Sequence, residues 1–88
     1  MQVSADLSLY PLTEEYEPII IDYIRRLREQ PGIRLATNPL TTQITGSYAD
    51  VMQALAVAGE PTFSAGVSCS LVIKLLNVGI EPGRAVEV

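Results

Sequence analysis

The first residues of the chain alternate between apolar and polar side chains. Every second position from Val3 to Leu9 is apolar, and the positions between them carry Ser, Asp or Ser. Because successive side chains of a strand point to opposite sides, this period of two predicts a half-buried β-strand. Pro11 interrupts the alternation, and proline has no N–H to contribute to a sheet ladder. We therefore predict a first strand over residues 2–10.

The next stretch changes to a period of three to four residues, which predicts an amphipathic helix within residues 13–30. Proline is tolerated only in the first helical turn, so Pro18 favours a start nearer Tyr16 than Thr13. The dipeptide Pro31-Gly32 ends the helix. The predicted buried stripe consists of Ile20, Tyr23, Ile24 and Leu27.

Two short strands follow, over residues 33–37 and 41–45, and their spacing predicts a hairpin closed by residues 38–40. Gly46 is expected to end the second of these strands. A shortened capping pattern comes next, since Ser47 precedes Asp50 by three residues, and it predicts the start of a second helix.

Val51, Leu55 and Ala58 share one face of that second helix. A glycine and a proline follow, so the helix either ends near Ala58 or continues with a kink through Phe63. Alternation returns from Val67 to Leu76 and predicts a fourth strand.

The chain from Asn77 onward contains the turn sequence Glu81-Pro82-Gly83-Arg84 and is expected to be irregular or to form a short edge strand. Residues 1–78 are accordingly assigned to one domain and residues 79–88 to a C-terminal tail.

The order β-α-β-β-α-β predicts an α+β fold of the ferredoxin-like kind, with two helices on one face of a four-stranded antiparallel sheet. The predicted core joins Leu7, Ile24, Leu55 and Leu71. The opposite face of the sheet is then polar, and it is open to water, buried against a second copy or part of a pocket. Its expected members are Ser4, Asp6, Ser8, Thr41, Gln43, Thr45, Ser68 and Ser70.

Composition excludes several classes of function. The chain has 6 basic and 10 acidic residues and a net charge of −4, whereas nucleic-acid binding needs clustered basic residues. Arg25, Arg26 and Arg28 are expected to form a solvated helix face. With no His and a single Cys, neither a metal site nor a cofactor is predicted. Cys69 is expected to be a small buried hydrophobe.

No catalytic motif is present, because the chain offers neither a base–nucleophile pair nor a glycine-rich phosphate loop. We therefore predict that it is not an enzyme. No apolar run approaches the roughly 18 residues of a membrane helix, and the first residues do not show the pattern of a signal peptide. A cytoplasmic protein is expected, without a membrane partner. With 88 residues the core is small, so self-association would add stability.

Two stretches resemble one known family. Residues 3–12 (VSADLSLYPL) are similar to the first strand of the YkoF-related thiamin/hydroxymethylpyrimidine-binding proteins. Residues 37–46 (TNPLTTQITG), together with the following Tyr48–Met52, resemble the second hairpin and helix of that family, and the similarity covers roughly residues 2–76. The resemblance implies a ferredoxin-like fold, non-catalytic binding of thiamin or its pyrimidine moiety, and domains that associate through their sheets. Better-known members carry two such domains, so this single-domain chain would form a homodimer or a larger homo-oligomer.

Six residues are candidates for ligand binding. The resemblance implies Ser8, Tyr10, Asn38, Thr41 and Thr42. Asp6 is added on physical grounds, because a carboxylate on a partly dry face would accept hydrogen bonds from an aminopyrimidine. Asn and Thr residues beside a turn also serve local hydrogen bonding alone, and Tyr10 is either a stacking surface or the rim of the core.

The competing function is a regulatory or dimerisation module of the amino-acid-sensing type, which shares this topology and does not bind thiamin. A sheet face that is packed against a second copy and holds no ligand would favour this alternative.

Overall fold

The computed structural model describes residues 1–88, and its elements follow the predicted β-α-β-β-α-β order. All strand pairs are antiparallel, and the sheet order is β2-β3-β1-β4. Both helices pack on one face, which confirms the ferredoxin-like prediction. The elements are β1 (Gln2–Pro11), α1 (Tyr16–Arg28), β2 (Ile33–Thr37), β3 (Thr42–Ser47), α2 (Tyr48–Phe63) and β4 (Cys69–Leu76).

The register of the central strand β1 shows which residues share each face of the sheet. Ser4 lies opposite Thr45 on β3 and opposite Leu76 on β4. Directly opposed residues of antiparallel strands share a face, so these three belong to the outer, helix-free side. The apolar positions of β1 lie on the helix-facing side, as the alternation predicts.

The core lies between that side of the sheet and the helices. Leu7 is buried, and Leu55 and Leu71 are partly buried against the core, as predicted. Cys69 is half-buried beside them and is less enclosed than expected. The buried apolar residues are Val3, Ala5, Leu7, Leu9, Tyr23, Leu27, Ile44, Val51, Ala54 and Ala58.

The helix boundaries agree with their sequence signals. Helix α1 begins at Tyr16, which places Pro18 in the first turn. Helix α2 begins after Ser47, whose hydroxyl accepts a hydrogen bond from the N–H of Asp50 at 3.1 Å. Of the two ends left open by the sequence, the structure shows the longer one, since α2 continues to Phe63 with a proline inside it.

Gly46 does not end β3, contrary to the prediction. The strand continues to Ser47, and Gly46 pairs with Val3 and with Ile33. A Cβ atom at Gly46 would lie 2.6 Å from the carbonyl oxygen of Gly32. The glycine is therefore explained by the close approach of two backbone segments inside the sheet.

The arginine run is only partly solvated. Arg25 and Arg28 are exposed as predicted, but the prediction is wrong for Arg26. Its Nε donates a hydrogen bond to the carbonyl oxygen of Ala58 at 3.1 Å, and its Nη2 donates to the hydroxyl of Thr62. The guanidinium thereby joins α1 to the last turns of α2, because the two helices pack side by side.

The C-terminal segment, residues 77–88, contains no helix or strand, so the prediction of an irregular segment is confirmed and the edge strand is not formed. It crosses the outer face of the sheet. The N–H of Ile80 donates to the Ser4 hydroxyl at 2.9 Å, and the N–H of Gly83 donates to the side chain of Gln43 at 2.9 Å. Part of the predicted polar face is thus covered by the chain itself.

Candidate ligand-binding cleft

One cleft of about 550 Å³ lies where the end of β1, one side of α1 and the β2–β3 connection meet. This volume lies within the range of pockets that bind small organic molecules. Its walls are formed by residues 7–12, by residues 37–42, and by Tyr16, Ile20, Tyr23 and Ile24 of α1.

The cleft follows from a difference in strand length. Strand β1 pairs with β3 only as far as Leu7, which lies opposite Thr42, but it pairs with β4 as far as Pro11. Residues 8–11 therefore have no strand partner on the side of β3. The β2–β3 connection lies beside this point, and the cleft lies along the uncovered edge.

Asn38 shapes the connection that forms one wall. Its side-chain oxygen accepts hydrogen bonds from the N–H of Leu40 at 2.8 Å and of Thr41 at 3.0 Å. This is the local bonding that Asn provides in turns, and it leaves the amide nitrogen of Asn38 without a partner in the chain. The turn holds Leu40 with 88% of its surface exposed.

The structure gathers most of the predicted site residues around this cleft. Ser8, Tyr10, Asn38, Thr41 and Thr42 all line it. Asp6 does not line the cleft. It precedes Leu7 in β1, and its side chain lies on the outer face of the sheet. Its carboxylate accepts a hydrogen bond from the hydroxyl of Thr41, so Asp6 is linked to the cleft through that residue.

The two threonines of the cleft have different environments. Thr42 is 5% exposed and lies on the helix-facing side, where its hydroxyl is 2.8 Å from that of Thr37. Thr41 is on the outer side, and its Oγ1 also lies 3.2 Å from the carbonyl oxygen of Leu7. The cleft consequently offers polar groups on both sides of the sheet edge.

No Asp, Glu, Lys or Arg lines the cleft. Large side chains surround it instead with much of their surface exposed, namely Tyr10, Leu12, Tyr16 and Leu40. Clustered exposed apolar surface of this kind is typical of binding sites. Tyr16 also borders a second depression, whose other members include Glu14, Glu15 and Glu17.

Tyr23 belongs to the site, although sequence reasoning assigned it to the core alone. It is 2% exposed, it lines the cleft, and its hydroxyl has no hydrogen-bond partner. Burial raises the pKa of Tyr23 to about 12, and the nearby charge of Arg26 partly opposes this shift. The only sequence signal is a hydroxyl-bearing residue within an apolar stripe.

The structure shows no group of three His, Cys, Asp or Glu side chains suited to a metal ion. Neither helix has the length and apolar character needed to cross a membrane.

Fold and site together define a small ferredoxin-like domain with an uncharged, ligand-sized cleft at one end of its sheet. No known protein family profile matches the chain, and no curated protein matches it. Several solved structures do share its fold.

A domain of unknown function, DUF77, from Bacillus cereus is 17% identical with a TM-score of 0.72, over 92% of this chain and 83% of that one. A Thermotoga maritima protein to which thiamine biosynthesis or salvage has been attributed is 16% identical with a TM-score of 0.68, over 92% and 90% of the two chains. A Streptococcus pneumoniae protein is 27% identical with a TM-score of 0.61, over 91% and 89%. These similarities establish the fold.

Proposed function

We propose that this protein binds thiamin or its hydroxymethylpyrimidine moiety in the cleft, without catalysis, as a relative of the YkoF-related proteins. The observation that carries the proposal is the convergence of Ser8, Tyr10, Asn38, Thr41 and Thr42 on one cleft. These are the residues that the family resemblance implies. The likeness in fold to the thiamine-associated protein of Thermotoga maritima supports the same function.

The chemistry of the cleft suits an aminopyrimidine. The exposed rings of Tyr10 and Tyr16 offer flat surfaces for a heterocycle. The amide nitrogen of Asn38 is a free donor for a ring nitrogen. The hydroxyl of Thr41 donates a hydrogen bond to Asp6, which leaves the Thr41 oxygen as an acceptor for an amino group.

The same lining supports binding without a reaction. General acid–base and nucleophilic catalysis need an activated side chain with a suitable pKa close to the substrate. The cleft contains hydroxyls, one amide and apolar groups. Asp6 is the one carboxylate in contact with any of these hydroxyls, and it accepts a hydrogen bond from Thr41.

Isothermal titration calorimetry with thiamin and with hydroxymethylpyrimidine tests the proposal directly. Leu40→Ala removes exposed apolar surface from the cleft and should weaken binding about three- to tenfold, which corresponds to about 0.6–1.4 kcal/mol of lost apolar contact with the ligand. Val57→Ala, on the exposed side of α2, is the matched control and should bind as the wild type does. If neither compound binds at millimolar concentration, the proposed function is wrong.

A specific feature also supports self-association, and with it the alternative of a regulatory or dimerisation module. Strand β4 is an edge strand, and from its fourth residue onward it exposes apolar side chains on both faces, namely Val72, Ile73, Leu75 and Leu76. Unprotected edges of this kind readily pair with another strand. We propose a second copy of this chain as the partner, because Lys74 is the only charge on the strand and the small core gains from added burial.

A further inference from the structure

The hydroxyl of Tyr23 is the one buried side-chain polar atom in the structure without a hydrogen-bond partner. Burying a hydroxyl without a partner costs free energy, and such groups are rare in native proteins. A phenylalanine would fill the same volume at no such cost. The hydroxyl therefore has a use that the packing of α1 against the sheet does not explain.

The position of Tyr23 indicates that use. Its side chain lines the cleft next to Ile20 and Ile24, in the part of the wall that α1 contributes. Two other polar groups of the cleft already have partners within the chain. Thr42 is bonded to Thr37, and the oxygen of Asn38 is bonded to two backbone N–H groups.

We propose that the Tyr23 hydroxyl is a recognition group that donates a hydrogen bond to an acceptor atom of a neutral, planar heterocycle in the cleft. This inference rests on the proposed function and deepens it. A ring nitrogen of hydroxymethylpyrimidine has the required chemistry.

Two properties of the cleft define this class of ligand. Burial keeps the pKa of Tyr23 near 12, so the hydroxyl retains its proton at neutral pH and acts as a donor. No charged side chain lines the cleft, so a charged group entering it would lose its hydration without gaining a counter-charge.

The two candidate compounds differ in their charge. Hydroxymethylpyrimidine is neutral at slightly alkaline pH, whereas thiamin carries the permanent positive charge of its thiazolium ring. If the pyrimidine of thiamin occupies the cleft, the thiazolium must remain outside it, and Glu14, Glu15 and Glu17 lie beyond Tyr16 on the neighbouring surface. The neutral pyrimidine should therefore bind at least as tightly as thiamin in high salt, where surface charges are screened.

The test compares Tyr23→Phe with the wild type by calorimetric titration of hydroxymethylpyrimidine. Loss of the donor should weaken binding at least about fivefold. Without ligand, the variant should have an unchanged or higher Tm, because no protein hydrogen bond is lost. Tyr48→Phe is the matched control, since Tyr48 is a partly exposed tyrosine outside the cleft.

Each result has one meaning. Equal affinity of Tyr23→Phe and wild type overturns the inference while the proposed function stands. A clearly lower Tm of the unliganded variant also overturns it, because the hydroxyl must then be bonded within the protein. Absence of any binding by the wild type rejects the proposed function and the role of Tyr23 together.

A second measurement needs no substitution. In protein labelled with ¹³C at the tyrosine ring carbon that bears the hydroxyl, the Tyr23 resonance should shift on saturation with hydroxymethylpyrimidine. An unchanged resonance at saturation would contradict the contact. Weaker binding of the pyrimidine than of thiamin in high salt would overturn the assignment to neutral ligands.

Discussion

The hydroxyl of Ser4 donates a hydrogen bond to the carbonyl oxygen of Val78, 2.8 Å away. Ser4 stands on the central strand and is 4% exposed, and it accepts a second hydrogen bond from the N–H of Ile80. The hydroxyl of Ser4 therefore makes two hydrogen bonds to the backbone of the C-terminal segment, one as donor and one as acceptor. This pair of bonds holds the segment against the outer face of the sheet.

Replacing Ser4 with Ala should lower the free energy of unfolding by about 1–2 kcal/mol, because it leaves two backbone groups of the C-terminal segment without their partner. Urea denaturation measures the change, and amide hydrogen exchange of Ile80 should become faster. Ser70→Ala, an exposed serine on β4, is the control. Unchanged exchange at Ile80 would show that the segment is held by other contacts.

Asp6→Asn should weaken binding of the pyrimidine by about 1–2 kcal/mol, since it removes the charged acceptor that orients the hydroxyl of Thr41. Calorimetric titration measures the loss, and a wild-type Tm would show that the near-isosteric variant is folded. Asp22→Asn changes an exposed carboxylate whose only ion pair is with Arg25, and it should bind normally. Equal affinity of Asp6→Asn and wild type would exclude a role of Asp6 in recognition.

Leu7→Ala should cost about 2–5 kcal/mol of stability, because Leu7 is fully enclosed between the sheet and the helices. Leu71→Ala should cost less, since Leu71 is only partly buried and the new space opens to solvent. Chemical denaturation of both variants gives the comparison. A cost below roughly 0.5 kcal/mol at both positions would mean that the helix-facing side of the sheet is wrongly assigned.

Sedimentation equilibrium should show a homo-oligomer at micromolar concentration, and Leu75→Glu should shift it towards monomer. The substitution puts a charge into the exposed apolar surface of the edge strand, where burial against a second copy would require its desolvation. Val57→Glu on α2 is the control and should leave the association unchanged. A wild type that remains monomeric would exclude the proposed use of β4.

Stability should fall in alkaline solution because of Tyr23. Its pKa is raised from 10.0 to about 12 in the folded protein, so the unfolded chain releases this proton at lower pH than the folded chain does. The contribution of Tyr23 to the free energy of unfolding is fully present below pH 10. It is lost as the pH rises through the pKa of the folded protein, by at most about 1.4 kcal/mol per pH unit. Tyr23→Phe should show a smaller loss between these limits, as measured by urea denaturation at each pH.

Local signals in the sequence were sufficient for most of the elements. The alternation around Leu7 gave the central strand and its faces, and Ser47 marked the start of α2 through a bond to a residue three positions later. The prediction for Gly46 was wrong, because the sequence does not distinguish a glycine that ends a strand from a glycine that is required by a closely approaching backbone segment. Arg26 was wrongly predicted for a similar reason, since its partners Ala58 and Thr62 belong to the other helix.

The candidate site was less accessible to sequence reasoning. Resemblance supplied Ser8, Tyr10 and the threonines, and their convergence on one cleft depends on where β3 stops pairing with β1. Ile24 was placed in the predicted core, and the structure places it on the wall of the cleft instead. Nothing in the spacing of the helix distinguishes a position facing a sheet from one facing a gap beside it.

The sequence by itself determined the order of the elements, the apolar and polar sides of each strand, and hence the ferredoxin-like fold, because these depend on periodicities and capping within a few residues. Tertiary structure alone decided which polar groups are satisfied. Ser4 acquires two of its hydrogen-bond partners from a segment more than seventy residues away, and the Tyr23 hydroxyl acquires none. Hydrogen bonding of buried groups depends on distances between atoms that are remote in sequence, and only the folded chain fixes those distances.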